Sequence, residues 1–532
     1  MMRRGPALVL IGALLVAGVV VGRDGGAGTG SVAPGPEPAT LLSVGPPDDA
    51  LGSIWFCAGQ TAGEDTAADG TVVIANLGES DAAGTVEVVS DAGGSATEPV
   101  EVAARTTERV RVADVLTADW AAATVQMDQS SIIVEHEVVG PHGRDAAACQ
   151  TRASDRWYLP AGATTRDAQL TLVIYNPYRD AALVDLAFTT AEGVRRPTAL
   201  DGVPIEAGGV HAVDVSGVVT VREVVATTLT ARRGRVVVDR IQTYDGRGSS
   251  TTDEEAATEF YRAEGLTVTP GVPAPRPVWD LPAGVRSAGI HERITVFNPG
   301  RRDAEVEITF SLRDPERNDE LDPFPLAVPA GEFEVFEVDE SDVIPEGVTH
   351  AVTVRSTNDV PVVAERSLVA AAGASYLAVL ASTGSPLAAR RWGFAAGRRN
   401  GEADSQRVAL HNPGDEEVEV RLVAFGDGRR TPAPVPDGPV LLAPDEHREV
   451  VVTDVPDGRT SIEVIASAPI VAERRIIAQG PQADATPEDE EEDEEGEEED
   501  EDDEEDEGPE IGVGASTAIG IPLGRTVVVL DD

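Results

Sequence analysis

Four acid–base dipeptides stand inside Val/Ile-rich runs of this 532-residue chain: Glu135-His136, Asp239-Arg240, Glu365-Arg366 and Glu473-Arg474. Opposite charges in apolar surroundings are the raw material of acid–base catalysis or of a pocket for a charged ligand. A strand setting argues against one shared pocket, because neighbouring residues on a strand point to opposite faces. The expected role is structural: one member of each pair reaches an adjacent strand or a domain junction, where an opposite charge offsets its desolvation.

Other reactive groups are sparse. The seven histidines, His136, His142, His211, His291, His350, His411 and His447, form no H-x-x-x-H pair and stand at no zinc-ligand spacing from a cysteine. No G-x-S-x-G elbow, phosphate-binding loop or dinucleotide glycine motif occurs. An acidic loop with Asp314, Glu316, Asn318, Asp319, Glu320 and Asp322 lacks the spacing and central glycine of an EF-hand. No catalytic, cofactor-binding or metal-ligating residue is therefore assigned. Cys57 and Cys149 are the two cysteines, and in an exported chain two cysteines usually pair. A bridge between them would clamp the ends of one domain.

The elements that carry these residues repeat. Trp55, Trp157, Trp279 and Trp392 are followed 19 to 21 residues on by Asn76, Asn176, Asn298 and Asn412, and the acid–base pair comes 59 to 67 residues after that. Pro177, Pro299 and Pro413 follow the last three asparagines, which marks a turn. In Glu305–Leu312 the residues Val306, Ile308, Phe310 and Leu312 alternate with polar ones, and Val184–Phe188 and Val418–Leu422 repeat the pattern. A period of two means strands with one wet face. The spacing predicts an all-β protein of four tandem immunoglobulin-like β-sandwiches, a string of like-shaped domains. Their expected spans are 54–150, 151–276 with a linker, 277–389 and 390–532. The last contains an acidic insertion at 482–510 and a closing segment at 511–532. Within that segment Arg525–Leu530 resembles a fifth tryptophan strand with Thr526 in place of Trp, suited to a junction.

Composition bounds the partners. There is no lysine, and 93 acidic against 42 basic residues give a net charge of −51. Nineteen acidic residues lie between Glu488 and Glu507, a run expected to act as a solvated spacer. An acidic surface repels phosphate, so nucleic acid is excluded as a partner. Arg3 and Arg4 precede an uncharged apolar run over residues 5–22, about 27 Å as a helix, which predicts a single-pass anchor or a signal peptide over 1–23. The N-terminus is then cytoplasmic and the bulk extracytoplasmic, secreted if the leader is cleaved. Residues 24–53 read as a Gly/Pro-rich spacer.

With the anchor, the Trp…Asn-Pro repeats and the terminal Val-Val-Ala-Glu-Arg strand, the chain resembles a family of actinobacterial envelope proteins carrying a domain of unknown function. The resemblance implies a membrane segment followed by a β-rich extracytoplasmic region, and it brings no catalytic residues. The function expected is a non-enzymatic structural or interaction protein of the cell envelope. Two alternatives are an envelope-glycan-binding protein using exposed aromatics and a hydrolase with an inter-domain site. Exposure of Trp157, Trp279 and Trp392 favours sugar stacking, and burial favours a structural role.

Overall fold

The computed structural model describes residues 42–64, 66–247, 263–318, 321–340, 344–370, 376–397, 404–426, 428, 431–432, 439–452, 461–478, 512–513, 515–524 and 526–530. The expected anchor (1–23), most of the spacer and the acidic run lie outside them. Among the described residues no helix is long and apolar enough to cross a membrane.

Among the described residues the chain is nearly all β, with single-turn helices between strands. Four modules recur, each of two sheets. In every module a tryptophan strand lies in the outer sheet: Ser53–Ala62, Arg156–Leu159, Val278–Arg286 and Leu387–Phe394. The inner sheet is centred on a charge strand that carries the acid–base pair: Ile132–Gly140, Val237–Asp245, Val363–Ala370 and Ser461–Ala478. Beside the charge strand, antiparallel, runs a last strand: Gly143–Ala148, Glu264–Pro270, Tyr376–Thr383 and Ala515–Ile519. In the fourth module the charge strand is 18 residues long. It pairs with the tryptophan strand through its first half and with Asp404–His411 through its second, so one bent strand serves both sheets.

Alternation drives this layering. Ala304–Ser311 buries Val306, Ile308 and Phe310 while Glu305 and Glu307 remain in water, and Val418–Phe425 repeats the pattern with Val418, Val420 and Leu422 inside. The four tryptophans are buried at 0–1% exposure. Three of the indole N–H groups donate to a backbone carbonyl three residues before the acid of the same module: Trp157 to Val236 (2.7 Å), Trp279 to Val362 (2.7 Å) and Trp392 to Ile470 (2.9 Å). Each of these three indoles thus fills the core and ties the tryptophan strand to the backbone leading into the acid–base pair, which accounts for the near-constant spacing of the two motifs.

The asparagines are equally regular and fully buried. Asn298 Nδ2 donates to the carbonyls of Arg302 (2.8 Å) and Val328 (3.0 Å), while its Oδ1 accepts from Gly300 N–H (2.9 Å). Asn76, Asn176 and Asn412 make the same local turn and the same reach to a carbonyl 26 to 31 residues away. Only an amide offers both donors and an acceptor at this point. Replacement of Asn298 by Ala is expected to cost about 2–3 kcal/mol through the orphaned buried carbonyls. Asn298→Asp, which keeps only the acceptor, should be no better, and melting midpoints of the two variants check this.

The linear string of domains is corrected by the arrangement of the modules. Pro38–Asp532 form one compact unit, and the four last strands pack side by side in cyclic order, the fourth returning to the first. The apolar cores run across the seams. Tyr158, Ala226 and Val272 of module two join the core of module three, while Ala395, Ala396, Phe425, Ile521 and Leu523 of module four join that of module one. Burying apolar area at these boundaries makes the modules interdependent, because a separated module would expose it. The closing segment spans the last seam. Ile521 and Leu523 enter the core of module one, whereas Val527–Val529 pairs antiparallel with Leu387–Ala389 of module four. At the same place Gly45 N–H donates to Pro522 O (2.9 Å), so the first described residues close the ring against the last.

Candidate functional site: the charge ring at the seams

Each charge strand faces two neighbours. Arg240 of module two makes a two-pronged pair with Glu365 of module three (Nη2–Oε1 2.5 Å, Nη1–Oε2 3.1 Å). Arg366 of module three donates to Glu473 of module four (2.5 Å), and Arg474 of module four donates to Glu135 of module one (2.7 Å). The circuit closes with His136 of module one, 3.6 Å from Asp239 of module two. All eight side chains are 0–2% exposed. Strand alternation, which excludes a shared pocket for adjacent residues, is what makes this possible: the acid points to the preceding module and the base to the following one.

Backbone N–H groups on or just after the tryptophan strands add donors to three of the acids. Asp239 Oδ2 accepts from the N–H groups of Ala58 (3.0 Å) and Gly59 (2.9 Å), Glu473 Oε2 from Ala283 (3.0 Å) and Glu135 Oε2 from Ala396 (2.6 Å). Thr517 Oγ1 also donates to Glu473 (2.7 Å). Gly59 has a steric reason at this point, since a Cβ there would lie 2.8 Å from the Asp239 Cβ. Burial alone would raise Glu473, but Arg366 and the Thr517 hydroxyl outweigh it and hold the carboxyl below its usual value.

The first seam differs in chemistry. Burial lowers His136 to about 4, so its imidazole is neutral at pH 7, and burial raises Asp239 to about 6 despite the two N–H donors. Three seams are therefore closed by guanidinium and the fourth by an uncharged ring.

A second set of contacts distinguishes the seams further. The residue after each tryptophan meets the neighbouring module near the residue before its asparagine. Phe56 and Tyr175 pack edge to face with centroids 6.3 Å apart, and Tyr158 shares a core with Phe297. At the third seam the pair is ionic, His411 Nδ1 standing 2.5 Å from Asp280 Oδ2, with Asp445 Oδ1 at 3.2 Å from Nε2. At the last seam Gly393 leaves room for Ile133, Leu523 and Leu77, the nearest of which would lie 2.8 Å from an added Cβ. Burial disfavours a charge on His411, but Asp280 and then Asp445 overcome it and lift its pKa to about 10. A folded-state pKa raised above 6.5 stabilises the seam fully below pH 6.5, and the contribution is lost as pH rises through 10. Unfolding midpoints should therefore fall between pH 6.5 and 10. In a His411→Gln variant that part of the decline should vanish, as denaturation series across that range would read out.

Cys57 and Cys149 form the expected disulfide, Cα atoms 4.6 Å apart across a separation of 92 residues. It joins the first tryptophan strand to the segment following Gly143–Ala148, clamping module one at its contact with module two. Among the described residues no group of three or more His, Cys, Asp or Glu side chains is placed to hold a metal ion. The ring as a whole was not legible beforehand, although the invariant order of acid then base was a signal for it. Asp280 and His411 carry no motif, only their positions beside Trp279 and Asn412.

A family model described as a family of unknown function (DUF5719) matches residues 140–436, more than half of the chain. The chain belongs to this family. The matched span contains the whole of modules two and three, and Arg240 and Glu365 both lie within it. No curated protein matches the chain. Among solved structures, the Anabaena sensory rhodopsin transducer aligns at 25% identity over 18% of this chain and 96% of its own, with a TM-score of 0.15. A Thermotoga maritima protein, 1070, aligns at 22% over 21% and 93%, with a TM-score of 0.17. A tetra-tandem repeat from the extending region of a large adhesion protein aligns at 12% over 81% and 96%, with a TM-score of 0.10. Scores this low carry no argument about the fold, which rests on the strand pairings themselves.

Proposed function

We propose that this DUF5719 member is a non-enzymatic interaction scaffold of the actinobacterial cell envelope, a single-chain ring of four immunoglobulin-like modules tethered by one N-terminal membrane helix. One observation carries the reading. The ionisable side chains of the repeat are consumed in the seams, pairing with one another and with backbone N–H groups. Catalysis needs activated groups converging on an open cleft; here burial and pairing lock them into architecture. The repeat tryptophans, at 0–1% exposure, likewise serve the core and offer no platform to a sugar.

An extracytoplasmic location is supported by the arginine-flanked apolar run over residues 5–22 and by the Cys57–Cys149 bridge, a bond that persists in oxidising compartments. The test is fractionation of cells expressing the full chain, with labelling by a membrane-impermeant amine-independent reagent such as a carboxylate-directed probe, since the chain has no lysine. Recovery with membranes and labelling on intact spheroplasts are expected. Recovery in the cytosol with reduced cysteines would overturn the reading.

A further inference from the structure

The fifth tryptophan stands outside the repeat and is the one left partly open. Trp120 lies on Ala118–Met127 in module one. By register, Gln60 pairs with Ala121 as Gly284 pairs with His350, so the counterpart of Trp120 in module three is Thr349. Module one therefore holds a private aromatic at a place where the repeat does not call for one. One side of the indole packs against the apolar cluster of the first seam, and the remainder lines a cleft of about 460 Å3 between modules one and two. That volume falls within the range of small-molecule clefts, about 300–1,000 Å3.

The other walls are polar and come from both modules. Asp91 faces the cleft from module one; Gln169, Thr171, His211 and Asp214 face it from module two. Asp214 Oδ1 is already engaged by Gln169 Nε2 (2.8 Å) and Gly217 N–H (3.1 Å), which fixes those two side chains. The cleft thus presents an indole, a fixed amide, an open carboxylate, a hydroxyl and an imidazole. Such a mixed set of donors and acceptors around an aromatic face suits a pyranose ring. Its C–H face is drawn to the negative π-face of the indole, and its hydroxyls both donate and accept. Two carboxylates repel phosphorylated or uronic sugars, and the prior engagement of Asp214 leaves too little free charge for a dedicated cation site. The cleft also opens at the seam closed by His136 instead of an arginine.

We propose that the Trp120 cleft is a binding site for a neutral saccharide. Trp120 is the stacking platform, while Asp91, Gln169 and His211 bind the hydroxyls.

The test uses the full chain with chitohexaose and maltoheptaose as neutral probes. Because the repeat tryptophans are buried, a change in intrinsic fluorescence or in acrylamide quenching on titration reports Trp120. Saturable binding of at least one probe is expected. Trp120→Ala should weaken it roughly tenfold or more, as truncation of a central aromatic anchor does, and Trp120→Phe should retain part of it. Gln169→Ala, at an exposed position that leaves the seam intact, should weaken it independently, with melting midpoints as the folding control. Absence of saturable binding to both probes, unchanged affinity in Trp120→Ala and Gln169→Ala, or preferential binding of tetramethylammonium would each overturn the proposal.

Discussion

Arg366→Ala is expected to destabilise the protein by about 3–5 kcal/mol, far more than loss of a surface pair. The guanidinium is 1% exposed, donates to Glu473 and to the carbonyl of Leu281 (3.1 Å), and is replaced by nothing when truncated. Glu473, at 0% exposure, keeps uncharged donors such as the Ala283 N–H and the Thr517 hydroxyl, which do not neutralise a buried charge. Its carboxyl, now held low by Arg366, should rise. With a depressed pKa the pair contributes stability above about pH 4.5 that is lost as pH falls through the folded value, and this acid-limb contribution should be absent in the variant. The matched Arg366→Met, Glu473→Gln double variant removes both charges and should cost less than Arg366→Ala. Arg195→Ala, whose partner Glu192 is exposed, serves as the surface control at roughly 0–1 kcal/mol. Guanidinium denaturation of the four proteins decides the matter. Equal, small effects for Arg366 and Arg195 would mean that the ring of charges is incidental to closure.

Removal of the disulfide is expected to have a comparable effect. Closing 92 residues removes chain entropy worth about 4–5 kcal/mol from the unfolded state, on the loop-closure model. Both cysteines are 0–1% exposed, so the bond should resist dithiothreitol in the native protein and be reduced only on unfolding. Cys57→Ala with Cys149→Ala keeps the site apolar and isolates the cross-link from any buried hydroxyl. Its location adds a directional expectation. The bridge clamps module one beside the seam closed by neutral His136, so the bridgeless protein should open there before elsewhere. Hydrogen exchange should then show protection falling first in Ile132–Gly140 and Val237–Asp245. An unchanged melting temperature, or opening first at the Arg366–Glu473 seam, would contradict this account.

How much of this is written in the chain follows from the range of each interaction. The β-strands and their buried faces were legible because alternation is local: Val306, Ile308 and Phe310 declare their buried face without reference to any distant residue. The tryptophan and asparagine motifs were legible as marks of a repeat, and the buried indoles and three-armed amides explain why those residue types recur. The Cys57–Cys149 pairing needed only a count of two.

The alternation rule also showed that Glu365 and Arg366 point opposite ways, yet it could not show what each meets. Arg474 finds Glu135 339 residues earlier in the chain, and Arg366 finds Glu473 across 107. No periodicity reaches that far. Repeated acid–base strands are equally compatible with an open string and with a closed circuit, since both present an acid to the preceding neighbour and a base to the following one. The choice is made by the continuous apolar cores at the seams and by the docking of Gly45 and Ile521–Leu523 at the last one. Sequence by itself determined the alternating strands and the fourfold recurrence of the motifs, because both are written in residues close in the chain. Closure was decided by tertiary structure alone, because it depends on surfaces that meet only after the modules have formed.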